Sequence, residues 1–296
     1  MEGKIVCLMT EGERALQRGG EGRVHSVYRK TINLMVNDHL YALQEGTSPL
    51  SPISFLLSLT GDEMHALPVK AQDRCRLSSS GITIFPEGKD PCTFFLDEEV
   101  LPVESSLLKN KKRLSPGAGE SLCRQAEGML MESGLPGFCA VLSREEGEDL
   151  ILLAAKRILK EAEDFFATGK EEEGCLALFP LVGLGGGLTP SGDDLLCGFL
   201  SGLLFLGEQG KNTLREMKRL LPLYLNRTND ISRAFLDCAL RGEFSLPVHH
   251  FFMGQGSLPE FLAIGHSSGM DTLLGIYLSL RSHSGCQPAL HAPACI

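Results

Sequence analysis

A glycine-rich segment that leads directly into an apolar stretch is the strongest constraint on how this chain folds. Residues 183–194 read GLGGGLTPSGDD, and residues 195–206 read LLCGFLSGLLFL. Glycine allows backbone conformations that other residues avoid, and an apolar run of this length fits a buried helix. The two together predict a loop followed by a helix start, where bare backbone N–H groups can bind an anion.

A second segment repeats the first in a weaker form. Residues 264–275 read IGHSSGMDTLLG and align without gaps with residues 187–198 when Ser268 is set opposite Ser191. The same register pairs three further positions, which are Gly192 with Gly269, Asp194 with Asp271, and Gly198 with Gly275. The sequence therefore predicts two related helix starts.

Both segments also fit a purely structural interpretation. Ser191 with Asp194, and Ser268 with Asp271, have the spacing of a helix capping box, in which the serine accepts an N–H bond and the acid favours the positive helix end. The same spacing occurs again at residues 60–63 and 257–260. A capping box needs neither three consecutive glycines nor a second acid, so we expect a ligand site at the first segment. At the second segment, a ligand site and a purely structural cap are both open.

The composition indicates a globular protein and disfavours some partners. The chain has 296 residues, of which 43% are hydrophobic, and this is enough for one large domain or two modest ones. Its formal net charge is -9, without a sustained basic stripe, which argues against nucleic acid or an anionic membrane as the main partner. The ten cysteines are scattered singly, and the N-terminus lacks the apolar core of a signal peptide. We therefore expect a reducing, cytoplasmic setting.

The apolar pattern predicts an α+β protein, with a β-rich N-terminal part followed by a mainly helical C-terminal part. Alternation on either side of Asn37-Asp38 predicts a β-hairpin, and further short strands are predicted at 82–85 and 93–96. Helical periodicity predicts helices at 151–166, 194–206, 214–225 and 230–241, and Pro222 is expected to bend or end the third of these. Proline and glycine at 114–119 mark a boundary. We predict a β-rich domain at 1–113, a helical domain at 114–281 carrying the glycine loop, and a loose tail at 282–296.

Several familiar active-site motifs lack residues that they require. A dinucleotide fingerprint starting at Gly183 would need glycine where Leu188 stands, and the loop lacks the Gly-Lys-Ser/Thr ending of a phosphate-binding Walker loop. Residues 265–269 match G-x-S-x-G and follow an apolar run, which suggests a hydrolase nucleophile. Too few residues follow that match to supply the acid and histidine on later strands, so the hydrolase interpretation is the weaker one.

The candidate site residues lie in the two repeats. Thr189 and Ser191 add hydroxyl donors, whereas Asp193 and Asp194 would repel an anion unless Mg²⁺ or a cationic or amide group on the ligand resolves the conflict. His266, just before the second helix start, can donate to a ligand oxygen. The catalytic candidates are Asp193, Asp194 and His266. The ligand-binding candidates are Gly185, Gly186, Gly187, Thr189, Ser191, Gly192, Ser267, Ser268, Gly269 and Asp271. No metal site is predicted, and Mg²⁺ is the one cofactor left open.

Residues 185–194, GGGLTPSGDD, resemble the signature of a bacterial family that includes the AllH-type subunit of oxamate carbamoyltransferase. The resemblance extends through Thr228, Ser232 and residues 265–271, and Gly186 stands where the commoner form of the loop has proline. It implies a place in a multi-subunit enzyme of anaerobic allantoin use, a branch of purine catabolism. That enzyme interconverts oxalurate and phosphate with oxamate and carbamoyl phosphate. The resemblance thus implies small anionic substrates and protein partner subunits.

The sequence leaves three functions open. The first is a transferase component in which the glycine loop holds an anion, Asp193 or Asp194 orients an amide or a metal, and His266 assists. The second is a non-catalytic ligand-binding or scaffolding subunit, in which the two repeats are paired caps. The third is a stand-alone Mg²⁺-dependent phosphoryl-transfer enzyme.

Overall fold

The computed structural model describes residues 1–109, 117–143 and 149–285. The chain divides into two compact units. The first contains Met1–Ser105 and Glu243–Leu246, and the second contains Ser106–Gly242 and Pro247–Ile296. The boundary that the sequence predicts at 113 and 114 lies outside the described residues.

The first unit is built on a closed eight-stranded barrel with the order β1-β5-β4-β3-β2-β6-β7-β8. Neighbouring strands are antiparallel, except that β4 runs parallel to β5 and β1 runs parallel to β8. The strands are β1 Glu2–Leu8, β2 Gly20–Val27, β3 Thr31–Val36, β4 His39–Glu45, β5 Ser54–Leu57, β6 Arg74–Ser78, β7 Gly81–Phe85 and β8 Cys92–Leu96. Two helices, α1 Thr10–Arg18 and α2 Gly61–His65, complete this unit.

The β3–β4 hairpin and the predicted strands at β7 and β8 are confirmed. Asn37 and Asp38 both have positive φ, at 50° and 62°, which is the backbone of a two-residue hairpin turn whose twist matches the strands. The barrel interior is filled by fully buried apolar side chains, among them Val24, Leu34 and Phe94.

The rest of the chain is mainly helical, so the predicted α+β class is confirmed. Its α-helices are α3 Ala118–Glu132, α4 Leu150–Ala167, α5 Glu171–Leu178, α6 Ser191–Leu206, α7 Lys211–Leu220, α8 Asp230–Arg241, α9 Leu246–Phe252, α10 Leu258–Leu262 and α11 Ser268–His283. Short 3₁₀ helices lie at Gly137–Leu142, Phe179–Leu181, Leu221–Leu223 and Leu225–Arg227.

Several helix bounds differ from the sequence-based ones. Helix α7 begins earlier than predicted and ends at Leu220, because Pro222 cannot donate to a continuing helix. Helix α4 is present, but its buried face centres on Ala155 and Leu159, and Ile151 is exposed. Helix α11 runs to His283, inside the predicted tail, and residues 286–296 lie outside the described residues.

Two parallel helices, α6 and α11, form the centre of the second unit. A Cβ atom added at Gly198 would lie 1.9 Å from the Thr272 carbonyl oxygen, and one added at Gly275 would lie 1.9 Å from the Leu195 oxygen. The two backbones therefore touch at equivalent positions of the two repeats. Further along, Gly202 meets the hydroxyl of Ser279 in the same way. Because contacts advance together along both helices, the helices run in the same direction and start side by side.

The helices and the cysteines of the described residues bear on the predicted setting of the chain. Among the described residues, no helix combines the length and the apolar character needed to cross a membrane. The cysteines of the described segments are free thiols and most are buried, as the sequence suggested. Burial raises the pKa of the Cys75 thiol to about 11 and that of Cys175 to about 12, so both stay protonated and unreactive at neutral pH.

Candidate functional site

The glycine loop before α6 takes conformations that favour glycine. Gly183, Gly185 and Gly187 have φ values of 75°, 117° and 97°. A Cβ at Gly185 would also lie 2.8 Å from the Ser191 nitrogen, so the loop folds closely against the helix start. Its tip at 186–188 is exposed, and Gly186 borders open space. The tip is the part of the loop that a ligand can reach most easily.

Asp193 ties the base of this loop to the chain before α8. One carboxylate oxygen accepts the Gly183 N–H at 2.9 Å, and the other accepts the Thr228 hydroxyl at 2.5 Å. Burial raises the Asp193 pKa, while Thr228, Gly183 and the nearby Ser232 hydroxyl lower it. Because both carboxylate oxygens are already hydrogen-bonded, we assign Asp193 a positioning role.

The backbone N–H groups at the two helix starts are partly used within the protein. Gly192 donates to the Leu184 oxygen at 2.9 Å, and Gly269 donates to the Ile264 oxygen at 3.0 Å. Both glycines also pack tightly, since an added Cβ would lie 2.0 Å from the Leu181 oxygen at Gly192 and 1.9 Å from the Phe261 oxygen at Gly269. Gly192 and Gly269 therefore permit close packing, and their amides are not open to a ligand.

The two helix starts interact by exchanging their serine and aspartate partners. The Thr189 and Ser268 hydroxyls hydrogen-bond each other at 2.8 Å, and both interact with the carboxyl group of Asp194. In the same way, the hydroxyls of Ser191 and Ser267 interact with Asp271. Each repeat thus places a serine beside the aspartate of the other repeat.

This exchange overturns the capping-box interpretation of the two repeats. Ser191 and Ser268 are the first helical residues, after the boundary residues Pro190 and Ser267, and neither boundary residue makes a side-chain cap bond. The capping box predicted by the same spacing at residues 60–63 does form. Identical spacing therefore produced a cap in one place and a contact between helices in the other.

Asp271 is fully buried and bound to a segment that the sequence analysis did not connect with it. Its Oδ1 atom accepts the Phe138 N–H at 2.7 Å, and Gly137, with φ of 59°, leaves no room for a Cβ beside the carboxylate. Burial raises the Asp271 pKa to about 6, although the Ser191, Phe138 and Ser267 interactions lower it. The Pro136-Gly137 pair signals a turn, but no sequence pattern identifies its partner.

Asp194 is the least deeply buried of the three aspartates in this cluster. It is 9% exposed, whereas Asp193 is 1% exposed and Asp271 is 0% exposed. Burial raises the Asp194 pKa well above its ordinary value, and the charges of Asp271 and Asp193 raise it further. The Oδ2 atoms of Asp194 and Asp271 are buried and have no hydrogen-bond partner within the described residues. Such unsatisfied buried atoms are costly and uncommon, which makes this cluster a candidate for ligand recognition.

The remaining sequence-predicted features are a histidine, a hydrolase motif and a possible metal. His266 is exposed in the turn before α11, and its proposed assistance stays a prediction. The apolar run before the G-x-S-x-G match includes the end of α10 and a turn, so the strand of a hydrolase nucleophile elbow is absent there and that interpretation is wrong. Across the parts of the chain that the structure describes, no group of three or more His, Cys, Asp or Glu side chains is arranged to hold a metal ion.

Asn229 joins the loop tip to α8, and its removal provides a first prediction. Its Oδ1 caps α8 by accepting the N–H groups of Ile231 and Ser232 at 3.0 Å, while its Nδ2 donates to the Leu188 oxygen at 3.0 Å. We expect Asn229→Ala to lower the free energy of unfolding by about 1 kcal/mol in urea denaturation. We also expect faster amide hydrogen exchange at residues 185–188.

Asp149→Ala is the matched control, because Asp149 caps α4 through the Ile151 and Leu152 N–H groups. It should cost a similar amount of stability without changing exchange in the glycine loop. Equal loop exchange in the two variants would show that the Asn229 bond does not hold the loop.

The two parts of the chain match two models of the same protein family. A family model described as "Oxamate carbamoyltransferase subunit AllH" matches residues 181–280, which include the glycine loop, α6 and most of α11. A second model, described as "AllH family N-terminal domain", matches residues 6–97, which cover most of the barrel. Together the two matches cover about two thirds of the chain. No solved structure matches it.

Proposed function

Because the chain belongs to the AllH family, we propose that it acts as a subunit of an oxamate carbamoyltransferase-like enzyme and binds a small anionic substrate where α6 and α11 begin. Phosphate, carbamoyl phosphate and oxalurate are the substrates in question. The observation that carries the proposal is the pair of buried Oδ2 atoms of Asp194 and Asp271, which have no hydrogen-bond partner in the described part of the chain and are flanked by hydroxyls at two adjacent helix starts.

The local chemistry supports a ligand that carries both an anionic and a polar neutral group. Two parallel helix starts each contribute a partial positive charge, and Thr189 and the exposed loop tip add hydroxyl and backbone donors. The carboxyl groups would repel an anion only when they are ionised, and burial favours the neutral form of Asp194, whose pKa is raised well above its ordinary value. The anion therefore belongs at the loop tip, with the neutral part of the ligand toward the carboxyl groups.

A non-catalytic binding or scaffolding subunit is the second candidate. The observation that favours it is the number of site groups already engaged within the protein, notably Asp193 and the Gly192 and Gly269 amides. On this alternative the chain would bind its ligand or its partners without contributing to turnover. We expect turnover only when the partner subunits are present, so full activity of the isolated chain would contradict the subunit proposal.

Isothermal titration of the full chain with oxamate and with phosphate, each with and without Mg²⁺, tests the ligand site. We expect at least one of these ligands to bind, and Thr189→Val to weaken that binding about tenfold, because it removes the hydroxyl that bonds to Ser268 and interacts with Asp194 at the site. Thr83→Val, which removes a hydroxyl from the barrel strand β7, is the matched control and should leave binding unchanged. Binding that Thr189→Val leaves intact would move the site elsewhere.

A further inference from the structure

Three buried carboxyl groups lie in one cluster, and their proximity favours a proton on at least one of them. The charges that act on Asp194 come from Asp271 on α11 and from Asp193 on its own helix, and both are negative. The other groups facing Asp194 are the Thr189 and Ser268 hydroxyls, while the thiol of Cys197 stays neutral because its pKa is raised. Burying several like charges together without a cation is so unfavourable that one group takes up a proton instead.

The hydrogen bonds indicate which carboxyl group carries that proton. Asp193 accepts a backbone N–H and a hydroxyl, and Asp271 accepts the Phe138 N–H. Donors of this kind stabilise the ionised form. Among the described residues, the donors that act on Asp194 are the two hydroxyls, which already bond to each other, and no backbone N–H joins them. Asp194 is therefore the group that is best accommodated as a neutral acid.

A neutral carboxyl group presents one O–H donor and one carbonyl acceptor side by side. A carbamoyl group, H₂N–C=O, presents a matching acceptor and donor at the same separation, so the two can form a closed pair of hydrogen bonds. We propose that Asp194, in its acid form, recognises the carbamoyl group of the substrate by donating to its carbonyl oxygen and accepting from its NH₂. This inference rests on the proposed function and names the part of the substrate that the site reads.

The arrangement explains how an acidic cluster can serve an anionic substrate. Carbamoyl phosphate, oxamate and oxalurate all carry the H₂N–C=O group at one end and an anionic group at the other. The anionic end lies at the loop tip near Gly186 and Gly187, and the carbamoyl end lies at Asp194, the most accessible of the three acids. Asp271, fully buried, acts as a positioning residue through its contacts with Ser191 and Ser267. The O–H donor also draws electron density from the carbamoyl carbon, which favours attack there.

The test compares carbamoyl phosphate with acetyl phosphate, in which a methyl group replaces NH₂ while the carbonyl and phosphate groups remain. Calorimetric titration of the full chain should show carbamoyl phosphate binding about tenfold more tightly or better, since acetyl phosphate leaves the acceptor of Asp194 unpaired. Asp194→Asn keeps a donor and an acceptor side by side and should retain most of this preference. Asp194→Leu keeps the approximate size without polar atoms and should lose the preference.

The outcomes separate this inference from the proposed function. If both phosphates bind the unaltered chain equally, carbamoyl recognition is overturned and anion binding survives. If carbamoyl phosphate, acetyl phosphate and oxamate all fail to bind, the proposed site and the inference fail together. If Asp194→Asn loses the preference as fully as Asp194→Leu, an ionised Asp194 is acting and the acid form is overturned, as it also is if binding requires Mg²⁺. The comparison on the unaltered chain decides the matter even if Asp194→Leu does not fold.

The matched control for the Asp194 variants is Asp193→Asn, which changes the neighbouring acid instead. Asp193 holds the loop and, in this account, makes no contact with the carbamoyl group. Its replacement should weaken both phosphates by the same factor and leave their ratio unchanged. If Asp193→Asn changes the ratio of the two affinities, Asp193 takes part in recognising the carbamoyl group, and the assignment to Asp194 is contradicted.

Discussion

Replacing Gly275 by alanine should lower the free energy of unfolding by about 3 kcal/mol. The new methyl group would lie 1.9 Å from the Leu195 carbonyl oxygen and 2.7 Å from the Phe199 nitrogen, which are backbone atoms of α6 and cannot move independently. The two helices must therefore separate. Urea denaturation measures the loss, and we expect the separation also to weaken the contact between the Thr189 and Ser268 hydroxyls.

The same substitution elsewhere in the unit should have the opposite effect. Gly128 lies on the exposed side of α3, and an added Cβ would meet nothing within 4 Å. Gly128→Ala should therefore raise stability by about 0.5–1 kcal/mol, the ordinary helix preference for alanine. Gly198→Ala should lower the free energy of unfolding by about as much as Gly275→Ala. The double variant should lose less stability than the sum of the two single losses, because one separation of the helices relieves both overlaps. A Gly275→Ala protein as stable as the parent would contradict the close packing of α6 and α11.

Asp271→Asn should gain stability relative to the parent chain as the pH rises from about 4 to about 7. In the unfolded chain an aspartate ionises near 3.8, whereas in the folded chain the Asp271 pKa is raised to about 6. Between these values the folded state holds a proton that the unfolded state releases, so the contribution of this group to stability falls as the pH rises. The variant lacks this titration, and the difference in unfolding free energy should change by about 2 kcal/mol across the window.

The measurement is urea denaturation of both proteins at several pH values. Asparagine can still accept the Phe138 N–H through its carbonyl oxygen, so the variant should fold. Asp62→Asn is the control, because Asp62 is exposed and its pKa is lowered by Arg29 rather than raised. A stability difference between Asp271→Asn and the parent that does not vary with pH would mean that Asp271 does not titrate in this window.

Local patterns predicted local structure well. The Asn37-Asp38 turn, the strands at 82–85 and 93–96, and the helix ending before Gly242 all follow from short-range preferences, and the structure confirms them. Closure of the barrel does not follow from such preferences. It depends on parallel pairing between β1 and β8, which are far apart in sequence and share no turn.

The candidate site shows the same division between local and long-range information. The repeat identified Ser191, Asp194, Ser268 and Asp271, but the capping-box spacing suggested partners within each repeat. In the structure each aspartate has one hydroxyl partner from its own repeat and one serine from the other repeat, because glycines let the two helices approach until their backbones touch. The sequence contained these glycines at aligned positions, yet only the packed structure shows that they face each other.

A crystal structure of the chain soaked with oxamate is the most direct test of the central claim that ligands bind where α6 and α11 begin. We expect density with the carboxamide group beside Asp194 and the carboxylate group at the loop tip. A competing location exists on α4 and the turn after it, where an open cavity of about 790 Å³ is lined by residues of both charges, among them Lys156, Arg157, Glu161 and Asp164. Density there, with none at the start of α6 and α11, would contradict the account.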